Sequence, residues 1–324
     1  MKKTKIKKIG ILTSGGDGPG MNAAVRSVVR SALHYGLKVN GIMKGYEGLI
    51  DDETIELNHR SVSNIINRGG TILKTARSKR FMTVEGQKKA LRTLKKHRID
   101  GLVVVGGDGS YRGANILYKT WGFPTVGLPG TIDNDLCGTD QTIGCHTAVD
   151  TALGAIDKIR DTAQSMERIF VIEVMGRNSG YIAMQVALGA GAEDVVIPEH
   201  KFDYQQMYKD MVAGNKKGKI SWIVVVAEGA GKANEIAEKI TKSTGLETRF
   251  VVLGHVQRGG TPTALDRIFA TRTGAAAVEL LLKGIYGKAV GIVEEKINIV
   301  DLSHACSQKK LPVEEYYRLM KILT

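Results

Sequence analysis

Short continuous apolar runs alternate along the chain with stretches in which apolar residues recur every three or four positions. Residues 8–12, 39–43, 101–105 and 123–128 read as buried strands. Ala24, Val25, Val28, Val29 and Ala32 line one face of a helix over about residues 21–35, and Gly36 is placed to end it. A longer amphipathic stretch, about 142–164, carries Val149, Leu153, Ile156 and Ile159 on one face. Beyond it the rhythm returns at 169–174, 195–197, 223–226 and 250–253. Such alternation predicts mainly parallel sheets with helices on both faces. At 324 residues the chain is long for one core, so two domains are expected, with the long helix marking passage into the second. No stretch is rich enough in Pro and Ser to be a linker, and no short repeat is visible.

The strand ends carry the chemistry. The run at 101–105 stops at Gly106-Gly107-Asp108-Gly109-Ser110, and that at 123–128 stops at Pro129-Gly130-Thr131-Ile132-Asp133-Asn134-Asp135. Two parallel strands thus end in glycine-and-carboxylate loops on one sheet edge, where open α/β sheets bind ligands. Glycine lets backbone N–H groups approach phosphate, while carboxylates hold a metal or accept a proton. Other strand ends carry Ser14-Gly15-Gly16-Asp17, Met175-Gly176-Arg177, Ala227-Glu228-Gly229 and Gly254-His255-Val256-Gln257-Arg258-Gly259-Gly260. Together they suggest phosphoryl transfer. Gly16-x-Gly18-x-Gly20 lacks dinucleotide spacing, and no Gly-Lys-Ser/Thr exists for a P-loop. What remains is a kinase of another design, using backbone amides, arginines and magnesium.

Each candidate has a duller alternative. Asp133 and Asp108 could cap helices, the latter the helix holding Ala114 and Leu117. Arg77 could be a surface arginine and His255 a core histidine. Leu136-Cys137-Gly138 shows no helical period after Asp135, which favours catalysis for Asp133; Mg²⁺ coordination is favoured for Asp108, and ligand contact for His255 beside Arg258. The Lys88-Lys89 and Lys95-Lys96 pairs read as solvated helix faces.

The net charge of +13, from 46 basic and 33 acidic residues, admits nucleic acid, a solvated surface with a lysine-rich start, or phosphorylated small molecules. Aromatics make up 6% and do not interleave with the basic runs, so base stacking has little support. Basic residues beside glycine-rich loops favour the small molecules. No apolar run approaches a signal-peptide core or a membrane span, and Cys137, Cys145 and Cys306 form no metal spacing or disulfide framework. A cytoplasmic location is expected, with no nucleic-acid or membrane partner.

At these motifs the chain resembles the phosphofructokinase family in its bacterial, ATP-dependent form. The resemblance runs from Ile9-Gly10-Ile11-Leu12-Thr13-Ser14-Gly15-Gly16-Asp17 to about residue 291, through Val174-Met175-Gly176-Arg177 and Leu253-Gly254-His255-Val256-Gln257-Arg258-Gly259-Gly260, and weakens over the last thirty residues. It implies two Rossmann-like three-layer α/β/α domains with mainly parallel sheets and an active site in the cleft between them. Residues 1–144 plus 257–306 would form the larger, ATP-binding domain, and 145–256 plus 307–324 the smaller, fructose 6-phosphate-binding domain. The implied reaction, the committed step of glycolysis, moves the ATP γ-phosphoryl group to the 1-hydroxyl of fructose 6-phosphate. The products are fructose 1,6-bisphosphate and ADP.

The resemblance also implies roles. Asp133 would be the base, Thr131 would hold the transferring group, and Arg177 would support the transition state. Arg77 and the Gly16 amide would neutralise ATP phosphates, Ser78, Gly107, Asp108, Gly109 and Ser110 would line the nucleotide site, and Asp108 with Asp135 would organise Mg²⁺. The sugar phosphate would meet Thr131, Ile132, Asp133, Met175, Gly176, Arg177, Glu228, His255, Val256, Gln257 and Arg258. Arg168 and Arg249 would reach it from the neighbouring subunit of a homotetramer. An effector site for ADP or phosphoenolpyruvate would use Arg26, Arg30, His59, Arg60, Arg160, Gly191, Glu193, Lys217 and Lys219. His59 stands where an arginine is frequent and Ile220 where a lysine is, so altered or reduced effector control is expected.

Gly109 and Gly130 bear on the donor. Pyrophosphate-using relatives typically carry Asp and Lys there, and an Asp would crowd and repel the α-phosphate of a nucleotide. The flank Asn178-Ser179-Gly180-Tyr181-Ile182-Ala183 leans toward the pyrophosphate and mixed branches, but the two contact positions weigh more. The alternatives are a pyrophosphate-dependent enzyme, a non-catalytic nucleotide- or nucleic-acid-binding protein, and a kinase of another sugar phosphate such as tagatose 6-phosphate.

Overall fold

The computed structural model describes residues 6–307 and 309–323. In chain order the elements begin β1 (Lys8–Ser14), α1 (Met21–His34), β2 (Lys38–Ile42), α2 (Gly45–Ile50), β3 (Thr54–Leu57), α3 (Val84–Lys96), β4 (Gly101–Gly106), α4 (Asp108–Trp121) and β5 (Thr125–Pro129). There follow α5 (Cys145–Ser165), β6 (Ile169–Val174), α6 (Tyr181–Ala190), β7 (Asp194–Val196), α7 (Tyr204–Lys216), β8 (Trp222–Ala227), α8 (Ala233–Thr244) and β9 (Thr248–Val252). The chain closes with α9 (Ala264–Leu282), β10 (Lys288–Val293), β11 (Lys296–Asp301), α10 (Leu302–Ala305) and α11 (Val313–Leu323). It divides into two compact units, Met1–Thr147 with Arg258–Lys309, and Ala148–Gln257 with Lys310–Thr324.

The first unit is built on a sheet of order β11-β10-β5-β4-β1-β2-β3. The inner strands run parallel, and β3 and β11 pair antiparallel at the two edges. Strand β4 shows how the three layers arise. All six of its residues are buried; Val103 and Val105 pack with α1 and α9, whereas Leu102 and Val104 face α2, α3, α4 and α10. A strand buried on both faces cannot alternate apolar with polar, hence its uninterrupted apolar sequence.

Local chemistry sets the helix ends. Helix α1 ends in a Schellman motif, with Gly36 N bonding Leu33 O and Leu37 N bonding Ala32 O, and Gly36 takes the left-handed φ of 73° that this demands. Helix α5 starts at Cys145 rather than near 142. Its start is set by buried Asp266 of α9, which accepts from Gly144 N and Thr147 N, each at 2.8 Å. That anchor comes from far along the chain and leaves no local signal.

The second unit holds a parallel sheet of order β7-β8-β6-β9. Ile169 and Val171 of β6 pack with Val224 and Val226 of β8 under α7 and α8. The apolar run at 250–253 departs from its expected burial. β9 is an edge strand spanning Thr248–Val252, and Phe250 and Val252 are about half exposed.

Asp194, at the start of β7, accepts a hydrogen bond from Trp222 Nε1 at 2.7 Å. Burial pushes its carboxyl from 3.8 up to about 6. The folded chain therefore holds a proton that the unfolded chain releases. Its favourable contribution is complete below pH 3.8 and is lost as pH rises through about 6. Asp194→Asn removes this dependence. Between pH 5 and pH 8, urea denaturation is expected to show the variant gaining about 1.4 kcal/mol relative to wild type. A pH-independent difference would mean that Asp194 titrates normally.

Candidate active site

Three neighbouring strands of the first unit end in one row, with Ser14 of β1 level with Gly106 of β4, and Gly106 level with Pro129 of β5. The chain leaves β1 toward β2 and returns on its other side at β4, so strand order reverses at this point, where ligands of doubly wound sheets bind. Loops 15–17 and 130–135, and the segment 107–110 that opens α4, all begin from that row.

The first loop is clamped to the segment bearing Arg77. Thr13 Oγ1 donates to Lys74 O at 2.8 Å, Thr75 Oγ1 to Gly15 O at 2.9 Å, and Gly15 N to Ala76 O at 3.3 Å. Exposed Arg77 and half-buried Ser78 follow directly. Gly16 leaves room for the Arg258 guanidinium, since a Cβ there would lie 2.4 Å from Arg258 Nη1, which donates to Asp17 O at 3.0 Å.

In the second loop Gly107 occupies the N-cap of α4, and Asp108 sits inside the first turn, so Asp108 is not the cap. Gly107 has no side chain with which to cap this helix, and the first amides of a helix suit an anion. Ser110 Oγ donates to Ser14 O at 3.0 Å, binding the two loops together. The Cβ position of Gly107 lies 3.4 Å from Thr131 of the third loop.

That third loop contains no helix before Cys145, so Asp133 caps nothing. Asp133 N donates to Thr131 Oγ1 at 3.2 Å. Ile132 and Asn134 are fully buried, Asp133 nearly so, and Asn134 is left-handed with φ 49°. The Cys306 thiol lies 3.6 Å from Asp108 O and feels the charge of both Asp108 and Asp135. Burial pushes that thiol up to about 11, Arg112 opposes the shift, and both carboxylates reinforce it. Among the described residues no group of three or more His, Cys, Asp or Glu could hold a metal. Two carboxylates suit a hard divalent cation that takes its other oxygens from phosphate and water.

In the second unit the ends of β6 and β8 are again level, at Val174 and Ala227. Glu228 Oε1 accepts from Gly176 N at 3.2 Å and Arg177 N at 2.7 Å, and Gln257 Oε1 accepts from Met175 N at 2.9 Å. Arg177 is exposed and left-handed, with φ 56°. This strained backbone is held by the Glu228 carboxylate. His255 and Val256 are exposed, which removes the core reading of His255.

Arg168 and Arg249 meet on one carboxylate, with Glu247 Oε1 3.0 Å from Arg168 Nε and 2.6 Å from Arg249 Nη2. They lie at the start of β6 and β9, whereas Met175 and Arg177 lie beyond the other end of β6. Glu247 went unnoticed in the sequence; its one signal is a charge two positions before Arg249. Among residues expected at an effector site, Arg160 Nη2 donates to Ala190 O and Gly191 O at 2.6 and 3.0 Å, and Lys219 pairs with Glu193 at 3.0 Å. Lys217 is the C-cap of α7, and Ile220 beside it is exposed. Arg26 and Arg30 lie on α1, and exposed His59 and Arg60 follow β3, all in the first unit.

The family model for phosphofructokinase matches residues 8–281. The chain is 50% identical over 331 residues to an ATP-dependent 6-phosphofructokinase of Halothermothrix orenii, covering 98% of this chain and all of that one. Among solved structures, Pichia pastoris phosphofructokinase in the T-state superposes with a TM-score of 0.88 at 36% identity, over 99% of this chain and 36% of that longer one. A pyrophosphate-dependent phosphofructokinase of Marinobacter aquaeolei gives 0.83 at 26% identity, over 95% of this chain and 86% of that one.

The packing of Gly16 is open to a direct test. Gly16→Ala is expected to drive the Arg258 guanidinium off the Asp17 carbonyl, visible in a crystal structure of the variant. An unmoved guanidinium would show that the loop backbone yields instead.

Proposed function

The chain belongs to the phosphofructokinase family, and we propose that it transfers the γ-phosphoryl group of ATP to the 1-hydroxyl of fructose 6-phosphate. The observation that carries the assignment of roles is the level row of three strand ends, which brings Gly16, the start of α4, Thr131 and Asp133 to one edge. Amides at Gly16 and at the start of α4, with Arg77, bind the donor phosphates. Ser78 and Ser110 flank them. Asp133 accepts the proton of the attacking hydroxyl. An alcohol is a far weaker acid than a carboxylic acid, so that proton leaves late, and positioning supplies most of the rate. Thr131 orients the transferring group and Arg177 offsets the charge it develops. Asp108 and Asp135 would hold Mg²⁺, which when bound offsets phosphate charge.

Met175, Gly176, Arg177, Glu228, His255, Val256, Gln257 and Arg258 receive the sugar phosphate, alongside Thr131 and Ile132. Arg168 and Arg249 bind its phosphate from a neighbouring subunit. Six residues of β6 separate Arg168 from Met175, about 20 Å of strand, too far for one chain to aim both at one phosphate. The proposed assembly is a homotetramer, the state the resemblance implies. Three free cysteines suit the reducing cytoplasm.

The donor assignment rests on two glycines. A Cβ at Gly130 would lie 2.8 Å from Val105 Cγ1 and 3.1 Å from Gly106 N, so a lysine there is excluded unless the strands shift. Gly109 instead faces open space, with no described heavy atom beyond its chain neighbours and its own helix backbone within 4 Å of its Cβ position, room for a nucleotide's α-phosphate.

With ATP, Mg²⁺ and fructose 6-phosphate, Asp133→Ala is expected to lower kcat about 10²–10⁴-fold with the fold intact. Turnover with pyrophosphate alone would reverse the donor assignment. ADP and phosphoenolpyruvate, titrated into the same assay, are expected to act weakly, because His59 and Ile220 reduce the cationic character of the effector site. Strong inhibition by phosphoenolpyruvate relieved by ADP would refute that.

A further inference from the structure

The loop that carries Asp133 and Asp135 is held from outside by a residue with no place in the family motifs. Lys309, in the segment after α10, directs all three donors of its ammonium group at one point of that loop. Nζ lies 3.1 Å from Asn134 Oδ1, 2.9 Å from Thr139 O and 3.0 Å from Asp140 O. Asn134 Nδ2 in turn donates to Asp140 O at 3.0 Å, so lysine, asparagine and carbonyl close a triangle.

The far corner of that triangle is fixed. Asp140 N donates to Ile292 O at 2.9 Å, Glu294 N to Asp140 Oδ2 at 2.8 Å, and Ile292 N to Thr139 Oγ1 at 3.2 Å, joining residues 139–140 to the β10–β11 hairpin. The near corner is Asn134, fully buried and left-handed, the residue between the two carboxylates. A residue in that conformation sets how its neighbours diverge, and a non-glycine residue holds it only when its surroundings insist. Burial lowers the Lys309 pKa from its ordinary value, while Asp140 and Asp135 are among the groups that raise it. The ammonium thus also offsets negative charge beside Asp135.

We propose that Lys309 is a positioning residue for phosphoryl transfer, acting through Asn134 to aim Asp133 and Asp135. Its described hydrogen bonds go to Asn134, Thr139 and Asp140, none of them a proposed substrate contact. The assignment rests on the function proposed above. Losing the clamp leaves substrate binding surfaces in place and misaims the reacting groups, so it should fall on kcat rather than KM. Lys309→Arg keeps the charge but spreads its donors in a plane, which cannot serve three converging oxygens.

The test measures kcat, both KM values and thermal stability for wild type, Lys309→Met, Lys309→Arg and Lys309→Gln, well below each melting temperature. Lys309→Met is expected to lower kcat about 10–100-fold, with each KM changed by about threefold at most, and Lys309→Arg to remain impaired. Combining Lys309→Met with Asn134→Ala should cost no more than the worse single change, as for two members of one unit. A melting temperature that falls while kcat stays within about twofold of wild type would assign Lys309 a merely structural role and overturn the proposal. Should the methionine variant not fold, Lys309→Gln, which retains two of the donors, decides by the same criterion. A wild-type chain that does not phosphorylate fructose 6-phosphate would overturn the proposed function itself, and this assignment with it.

Discussion

The register of β1, β4 and β5 is the constraint on which the rest of the first unit depends. Because Ser14, Gly106 and Pro129 are level, three loops leave the sheet at the same height and meet without long excursions. A shift of one residue in any of these strands would exchange its two faces, sending Val103 and Val105 toward the wrong helices. Burial on both faces therefore forbids the slip. The same apolar packing that makes the unit stable also sets the height at which the amides of those loops begin.

Close approach is the second theme. Ser110 Oγ reaches Ser14 O, Gly107 abuts Thr131, and Gly16 lies under Arg258. A side chain at Gly16 would displace the Arg258 guanidinium, whereas a Cβ at Gly107 would only touch Thr131. The second unit solves a related problem differently, spending a carboxylate and an amide on backbone N–H groups to hold Arg177 and its neighbours in an uncommon conformation. In both units the exposed arginines are mounted on backbone that is itself rigidly held.

The strands, the long helices and the strand ends from which the loops leave were legible in the sequence because each is a local pattern. Periodicity named α1 and β4, and the run after Asp135 correctly read as loop. Features set by distant residues were hidden. The start of α5 is fixed by Asp266, an edge position explains why Phe250 is exposed despite its apolar surroundings in sequence, and Lys309 lies in a polar run that reads as surface. Hydrogen bonds between residues more than a hundred positions apart have no periodicity to read.

The carboxylate of Glu247 has one further consequence. Two guanidinium groups gathered side by side repel each other, and in this chain that repulsion is already neutralised by an internal anion. On the role proposed for these arginines, a phosphate would enter by exchanging one anion for another. Only a ligand with more charge or more oxygen acceptors than a single carboxylate gains from that exchange. On that role, Glu247 would set a threshold that favours phosphate esters over simple monoanions.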